Sequence, residues 1–224
     1  MMKMFTFFKR KPGMSVEDFQ TYWSTGHAQL AVKMGGKRRY IQNHTLPSAY
    51  AGGNEPVWDG VPEGYFESPQ VMKDLARTKE YETLRADEPN FIDLSTMCHI
   101  YTEEHIIKDG PVTADSVKMM LFVNRKPDMD LDEFRKYWRE VHPQIGLKVP
   151  GGLRYVQNHT WRSFYDSGQT PVYDGVAEMW YESMQAIKDA VKTPEYALSV
   201  ADARNFLSTD SPPMIIVREK VIVP

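Results

Sequence analysis

A single cysteine, Cys98, in 224 residues excludes an internal disulfide and any cysteine-based metal cluster. Basic charge is not in excess either: 27 Lys and Arg stand against 30 Asp and Glu, a formal net charge of -3. The densest basic stretch, Lys37-Arg38-Arg39, meets Leu153-Arg154 at the corresponding place later in the chain. A nucleic-acid partner would call for a basic face and is not expected. No apolar run approaches the length of a membrane span, so a membrane partner is not expected. The opening Met1-to-Phe8 stretch is cut short by Lys9-Arg10-Lys11-Pro12 and no small-residue cleavage site follows, so it does not read as a signal peptide. The cytoplasm is the expected compartment. A Gly-rich phosphate loop, a Ser-centred elbow and a reactive-Cys constellation are all absent.

What the chain has is aromatic residues, 12% of the total, and a repeat. Shifted by about 115 residues it matches itself without a gap from Met4 to about Asp93. Arg10-Lys11-Pro12 falls on Arg125-Lys126-Pro127, Tyr22-Trp23 on Tyr137-Trp138, and His27 on His142. Gln42-Asn43-His44-Thr45 falls on Gln157-Asn158-His159-Thr160, and Asp59-Gly60-Val61 on Asp174-Gly175-Val176. About 40 of roughly 90 aligned positions are identical. So long a period is a domain duplication, with domains expected at 1–110 and 117–224 and a linker of Asp-Gly-Pro and small polar residues between them.

Each half reads as βαββαβ. Met4 to Arg10 is a strand by its length and Phe content. Ser15 to Asp18 and Asp130 to Glu133 are capping boxes that start a helix, with Phe19, Tyr22, Trp23, Gly26 and Leu30 on one stripe. Strands over Arg39 to Thr45 and Glu63 to Glu67 follow, then a helix from Val71 and a strand from about Met97 to Ile106. That order is the ferredoxin-like split βαβ arrangement. The fold class is α+β. The sheet face away from the helices carries Phe5, Phe7 and Tyr65 and needs cover. The expectation is therefore two ferredoxin-like repeats forming an intramolecular dimeric α+β barrel, the outer surfaces being free for a homodimer of the tandem chain.

Among residues that carry chemistry, His27 and His142 sit near a helix C-terminus, where a histidine can simply complement the helix dipole. Their recurrence in the same Tyr-Trp-x-x-x-His setting favours a role in a site. Tyr40, Gln42 and His44 share one face of a strand, as do Tyr155, Gln157 and His159. Three polar side chains in a row suit the wall of a cavity, where His transfers protons and Tyr and Gln hold a substrate oxygen. The other reading turns this face to solvent and Ile41 to the core. Glu63 and Glu67, with Glu178 and Glu182, are further acids, at least one of each pair being an exposed strand-edge charge. No HxH, HxxxH or HxxE spacing is present, and no metal is expected.

Taken together, Arg-Lys-Pro-Gly-Met-Ser-x-Glu-x-Phe, Tyr-Trp-x-x-x-His, Tyr-x-Gln-Asn-His and Asp-Gly-Val-x-Glu-x-x-x-Glu-Ser resemble the EthD domain family of the dimeric α+β barrel superfamily. The resemblance covers nearly the whole chain, twice over. It implies a cavity between sheet and helices and an enzyme without a cofactor, acting on a small hydrophobic, ring-containing substrate of aromatic or polyketide-like type. The family's helix histidine maps onto His27 and His142, and its strand histidine onto His44 and His159. The expected activity is a lyase, in particular a dehydratase. His44 and His159 are the expected bases, with His27 and His142 as acids or orienting partners. Tyr40, Gln42, Tyr155, Gln157, Trp23, Trp138, Tyr65 and Trp180 are the expected substrate-binding side chains. An isomerase or cyclase would use the same groups, a non-catalytic binding module would need only the cavity, and a haem protein would draw an axial ligand from the histidines. Leu46 and Ala49 face Trp161 and Phe164 in the alignment, so the first half is expected to hold the roomier cavity.

Overall fold

A short polar side chain starts the first helix of each half. In the computed structural model, which describes residues 1–224, Ser15 Oγ accepts from the Asp18 N–H at 3.0 Å. Asp130 Oδ1 accepts from the N–H groups of Asp132 and Glu133 at 2.7 and 3.3 Å. Each cap satisfies donors that a helix start leaves orphaned. The Asp18 carboxylate does not close the box as expected but takes the Ser15 hydroxyl.

By packing, the chain divides into two units, Met1–Glu103 with Glu219–Pro224, and Glu104–Arg218. The first runs β1 (Met2–Arg10), α1 (Val16–Tyr22), a π-turn (Trp23–His27), α2 (Ala28–Lys33), β2 (Arg39–Thr45), β3 (Gly60–Phe66), α3 (Pro69–Leu75), α4 (Lys79–Asp87) and β4 (Ile92–Lys108). The second runs β5 (Val117–Val123), α5 (Leu131–Lys136), a π-turn (Tyr137–Val141), α6 (Pro143–Gly146), β6 (Gly152–Thr160), the short α7 (Arg162–Asp166), β7 (Gly175–Tyr181), α8 (Met184–Ala190), α9 (Pro194–Ala203) and β8 (Met214–Val223). The order of main elements is βαββαβ in both. The first unit's strands lie β4-β1-β3-β2, with the end of β8 beside β2; the second's lie β8-β5-β7-β6, with the end of β4 beside β6. The joint at 109–116 is irregular, as expected, but the units do not part there. Strand β4 runs on past Glu103 into the second unit's sheet, and β8 past Arg218 into the first's. No helix is long and apolar enough to cross a membrane.

Alternation decides what each sheet face carries. On β1, Met4, Thr6 and Phe8 face the helices, while Lys3, Phe5 and Phe7 take the other face and are buried. Strand β2 is buried on both faces from Tyr40 to Thr45, so the reading that exposes one face to solvent is wrong. Ile41 and Asn43 point one way, Tyr40, Gln42 and His44 the other. The Phe8, Phe19, Trp23 and Phe91 cluster under the helix lies so close to β3 that a Cβ on Gly60 would come within 2.7 Å of the Trp23 ring; at Gly175 the corresponding distance to Trp138 is 2.6 Å. Only glycine fits there.

Two of the repeated motifs serve this scaffold. The buried Asp59 carboxylate accepts from the Arg10 N–H at 2.8 Å, the Arg10 guanidinium at 2.7 Å and the Tyr50 hydroxyl at 2.5 Å. Asp174 repeats this with Arg125 at 2.8 and 2.6 Å and Tyr165 at 2.5 Å. The Arg-Lys-Pro and Asp-Gly motifs thus clamp the end of β1 to the loop before β3. Removing one member of such a buried pair strands the other charge, at a cost of about 3 kcal/mol or more. Arg10→Met is expected to lower the stability of the first unit by about that much, read from the urea midpoint and slope, whereas Glu55→Gln, at the exposed outer partner of Arg10, should change it little.

Candidate active site

The first helix of each unit loosens into a π-turn where its Trp and His stand. The His142 N–H reaches back five residues to the Tyr137 carbonyl at 3.0 Å, and this wider turn stacks residues four apart on one inward face. Trp23 and His27 are both buried as a result. The turn also leaves a carbonyl over. Pro143, five residues after Trp138, has no N–H to give it; in the first unit the Ala28 N–H goes to Thr25. The strand below supplies the missing donor: Gln157 Nε2 donates to the Trp138 carbonyl at 2.6 Å, and Gln42 Nε2 to that of Trp23 at 2.9 Å.

That contact fixes which end of each amide is nitrogen and therefore what the neighbours do. Gln157 Nε2 also donates to the Tyr155 hydroxyl at 2.9 Å, and the Trp138 indole N–H donates to the same oxygen at 3.3 Å. Tyr40 receives the corresponding bonds from Gln42 and Trp23. Both contacts fill lone pairs, so the phenol's own hydrogen remains to be donated. Each Tyr lines a cavity, and burial pushes each phenol up to about 12, which keeps it protonated. On the other side of the amide, Gln42 Oε1 lies 3.0 Å from His44 Nε2, and Gln157 Oε1 lies 3.2 Å from His159 Nε2. An amide oxygen only accepts, so both strand histidines carry their proton on Nε2. Their rings pack against Trp23 and Trp138 at 4.3 and 4.4 Å. Desolvation drives His44 down to about 3 and His159 down to about 2.

The helix histidines are protonated the other way round. His27 Nδ1 lies 2.9 Å from Asp87 Oδ2, and His142 Nδ1 lies 2.7 Å from Asp202 Oδ2. The other oxygen of each carboxylate takes a tyrosine hydroxyl, Tyr22 at 2.5 Å or Tyr137 at 2.7 Å, and the amide of Asn90 or Asn205 at 3.0 or 3.2 Å. Burial opposes ionisation of Asp87 and Asp202, but the donors around them prevail and hold both carboxyls below their usual range. An ionised carboxylate on Nδ1 demands the Nδ1–H tautomer and leaves the Nε2 lone pair on the cavity side. Desolvation, partly offset by the Asp, holds both imidazoles below their ordinary value, so they are neutral at pH 7.

Each unit has one such cavity between helices and sheet. The first, about 230 Å³, is lined by Trp23, His27 and Tyr40 among others; the second, about 330 Å³, by Trp138, His142 and Tyr155. Six of the expected groups do not reach them. His44, His159, Gln42 and Gln157 lie beneath the Trp rings, joined to one another, and support the wall without forming it. Tyr65 and Trp180 occupy the opposite sheet face, because β3 and β7 present alternate residues to the helices. Tyr65 donates to Glu63 at 3.1 Å, and Trp180 lies 4.9 Å from the Lys118 ammonium. Glu63 and Glu178 are buried there in ion pairs with Lys3 at 3.0 Å and Lys118 at 2.7 Å, and Glu67 and Glu182 are exposed. The second cavity, not the first, is the roomier. Leu46, Ala49, Trp161 and Phe164 line neither, while Phe8, Leu84 and Arg85 give way to Val123, Ser199 and Val200. No three His, Cys, Asp or Glu side chains converge as a metal ion would require.

Sequence reasoning passed over Asp87 and Asn90, with Asp202 and Asn205. The signal was present: Asp-x-x-Asn-Phe stands at 87–91 and again at 202–206, within the matched repeat and at the end of a helix.

Comparison with known proteins bears on family and fold. The EthD domain model matches twice, over residues 11–95 and 126–210. No curated protein matches the chain. Among solved structures, an anthrone oxidase-like protein is similar over 100% of this chain and 93% of its own, at 11% identity and a TM-score of 0.64. A candidate monooxygenase from Lactobacillus acidophilus NCFM covers 98% of this chain and 94% of its own (13%, TM-score 0.57). A mutant chlorite dismutase from Candidatus Nitrospira defluvii covers 99% and 92% (9%, TM-score 0.58). At such identities the likeness concerns the fold alone.

The strand histidines make stability depend on pH. Unfolded, they titrate near 6.5; folded, near 3 and 2. Their contribution is whole above about pH 6.5 and is lost as pH falls, because only the unfolded chain takes up the protons. By pH 5 each costs roughly 2 kcal/mol. The urea midpoint should fall between pH 7 and 5, and the double variant His44→Gln, His159→Gln should flatten that fall. An unchanged slope would contradict the assignment.

Proposed function

This chain belongs to the EthD domain family, and we propose that it is a cofactor-independent acid–base enzyme acting beside a carbonyl on a hydrophobic, ring-containing compound, with dehydration as its reaction. The observation that carries this reading is the pairing on one cavity wall, built twice, of an Asp-held histidine with a free Nε2 and a tyrosine whose only remaining hydrogen is the one it donates. Base and oxygen donor are the two groups that enolate formation needs. In the second unit, His142 Nε2 removes the proton from the carbon next to the carbonyl, and Tyr155 donates to the oxygen on which negative charge develops. Asp202 stabilises the imidazolium so formed. As the electron pair returns, the C–O bond to the β-hydroxyl breaks, and the imidazolium gives that same proton to the departing oxygen, releasing water. Base and acid are thus one residue. His27, Asp87 and Tyr40 supply the same set in the first unit.

This moves proton transfer from the strand histidines to the helix histidines. His44 and His159 become positioning residues that hold the amide holding the tyrosine. Both units are read here as ferredoxin-like repeats, so the elimination site lies on the helix-covered face of each sheet. An isomerase would share the first step and return the proton to a different carbon.

A suitable probe is 3-hydroxy-1-tetralone, a β-hydroxy ketone that loses water to give 1-naphthol, followed by fluorescence. The double variant His27→Gln, His142→Gln is expected to lose about 100-fold or more in rate, and Tyr40→Phe with Tyr155→Phe about 10- to 100-fold. His44→Gln with His159→Gln should lose less than either. The acid limb of the rate profile should lie below pH 6.5, since the helix histidines must be neutral to act. Turnover unchanged in the helix-histidine double variant would overturn the mechanism and leave a binding role.

A further inference from the structure

The duplication kept the dyad and the tyrosine in both cavities but not the charge around them. In the first unit the wall carries Lys37, Arg85, Glu88 and His99; the corresponding positions in the second are Gly152, Val200, Ala203 and Met214, which line the other cavity. Arg85 already has an anion, lying 2.7 Å from Glu88. Lys37 does not. Its ammonium donates to the Ala31 carbonyl at 2.8 Å and lies 5.1 Å from the centre of the Tyr40 ring, with no carboxylate in ion-pair contact. Burial lowers it to about 8, so it is still mostly charged at pH 7. The turn before it is shaped to deliver it: Gly35 and Gly36 both have positive φ, and a Cβ on Gly36 would come within 2.9 Å of Leu75. In the second cavity the charges are otherwise engaged. Lys108 donates to the Gly152 carbonyl at 2.5 Å, Arg154 pairs with Asp109 at 2.7 Å, and Asp210 lies 3.2 Å from Arg204.

A half-buried cation on a cavity wall, beside a phenol with a hydrogen to donate, is a receptor for a negatively charged oxygen. We propose that the first unit's cavity takes ring compounds bearing a carboxylate or other anionic oxygen, held by Lys37 and Tyr40, while the second unit's cavity takes neutral ones. This rests on the reading of both cavities as sites for ring compounds, but it is tested by binding and not by turnover.

The probes are 2-naphthoate and its neutral counterpart 2-acetylnaphthalene, titrated into the intact chain while the indole N–H signals of Trp23 and Trp138 are followed by NMR. The naphthoate should move the Trp23 signal and the ketone the Trp138 signal. Lys37→Met should weaken naphthoate binding about tenfold or more without altering ketone binding at Trp138. A gain-of-function variant makes the test independent of any damage at Lys37. A side chain at Gly152 would meet nothing within 4 Å, so Gly152→Lys should bring naphthoate into the second cavity, read at Trp138. Naphthoate bound equally well by the wild-type chain and Lys37→Met, or both probes sharing one cavity, would overturn the charge assignment while leaving the cavities as ring sites. Failure of both probes to move either indole would overturn the reading of the cavities, and this assignment with it.

Discussion

One hydrogen bond in each unit, from a strand glutamine amide to the carbonyl that the π-turn leaves over, sets the chemistry of the wall above it. A buried carbonyl without a donor would cost about 1–3 kcal/mol, and an amide turned the wrong way would oppose oxygen to oxygen. With Gln42 and Gln157 held by Trp23 and Trp138, every proton nearby has its place. The amide nitrogen fills the tyrosine oxygen, the amide oxygen claims the strand histidine's Nε2 proton, and the tyrosine hydrogen is left for the cavity. The π-turn is therefore more than an irregularity of the helix. It creates the acceptor that orients the site and brings Trp and His onto one face.

The two kinds of histidine follow from what each one touches. A carboxylate fixes the helix histidines as Nδ1–H and lends them basicity on the far nitrogen; an amide oxygen and an indole face fix the strand histidines as Nε2–H and neutral. Burial acts on all four, but only the helix pair has a charged partner to offset it and a nitrogen open to the cavity. The same separation of tasks runs through the sheet. Its helix side carries the polar groups that line the cavities, whereas the buried ion pairs Lys3–Glu63 and Lys118–Glu178 stand on the other side, where desolvation makes each partner necessary to the other.

Much of this was legible in the sequence. The gapless repeat gave the βαββαβ order, and β2 over Arg39–Thr45 follows from alternation alone. The helix and strand histidines stood out because they recur. What the residues could not disclose was the order of layers around Trp23. Period two places Tyr40, Gln42 and His44 on one face but does not say that an indole covers the last two and spares the first. Tyr65 and Trp180 were misplaced for the same reason: an aromatic side chain suits either side of a sheet, and only the close approach of Trp23 and Trp138 to Gly60 and Gly175 tells which side the helices cover. Asp87 and Asp202 escaped notice because an acid at a helix end reads as ordinary surface until the histidine 60 residues away is seen to touch it. The size of the cavities was misjudged from a loop that does not line them.

Opposite tautomers at two pairs of histidines set the chemistry of each wall, and nitrogen NMR of the ring atoms reads tautomers directly. In the intact chain at pH 7, His27 and His142 should show a protonated Nδ1 and an unprotonated Nε2, and His44 and His159 the reverse, with His44 and His159 staying neutral down to pH 5. Strand histidines that carry their proton on Nδ1, or helix histidines that carry it on Nε2, would contradict the assignment of base, donor and support on which the whole reading stands.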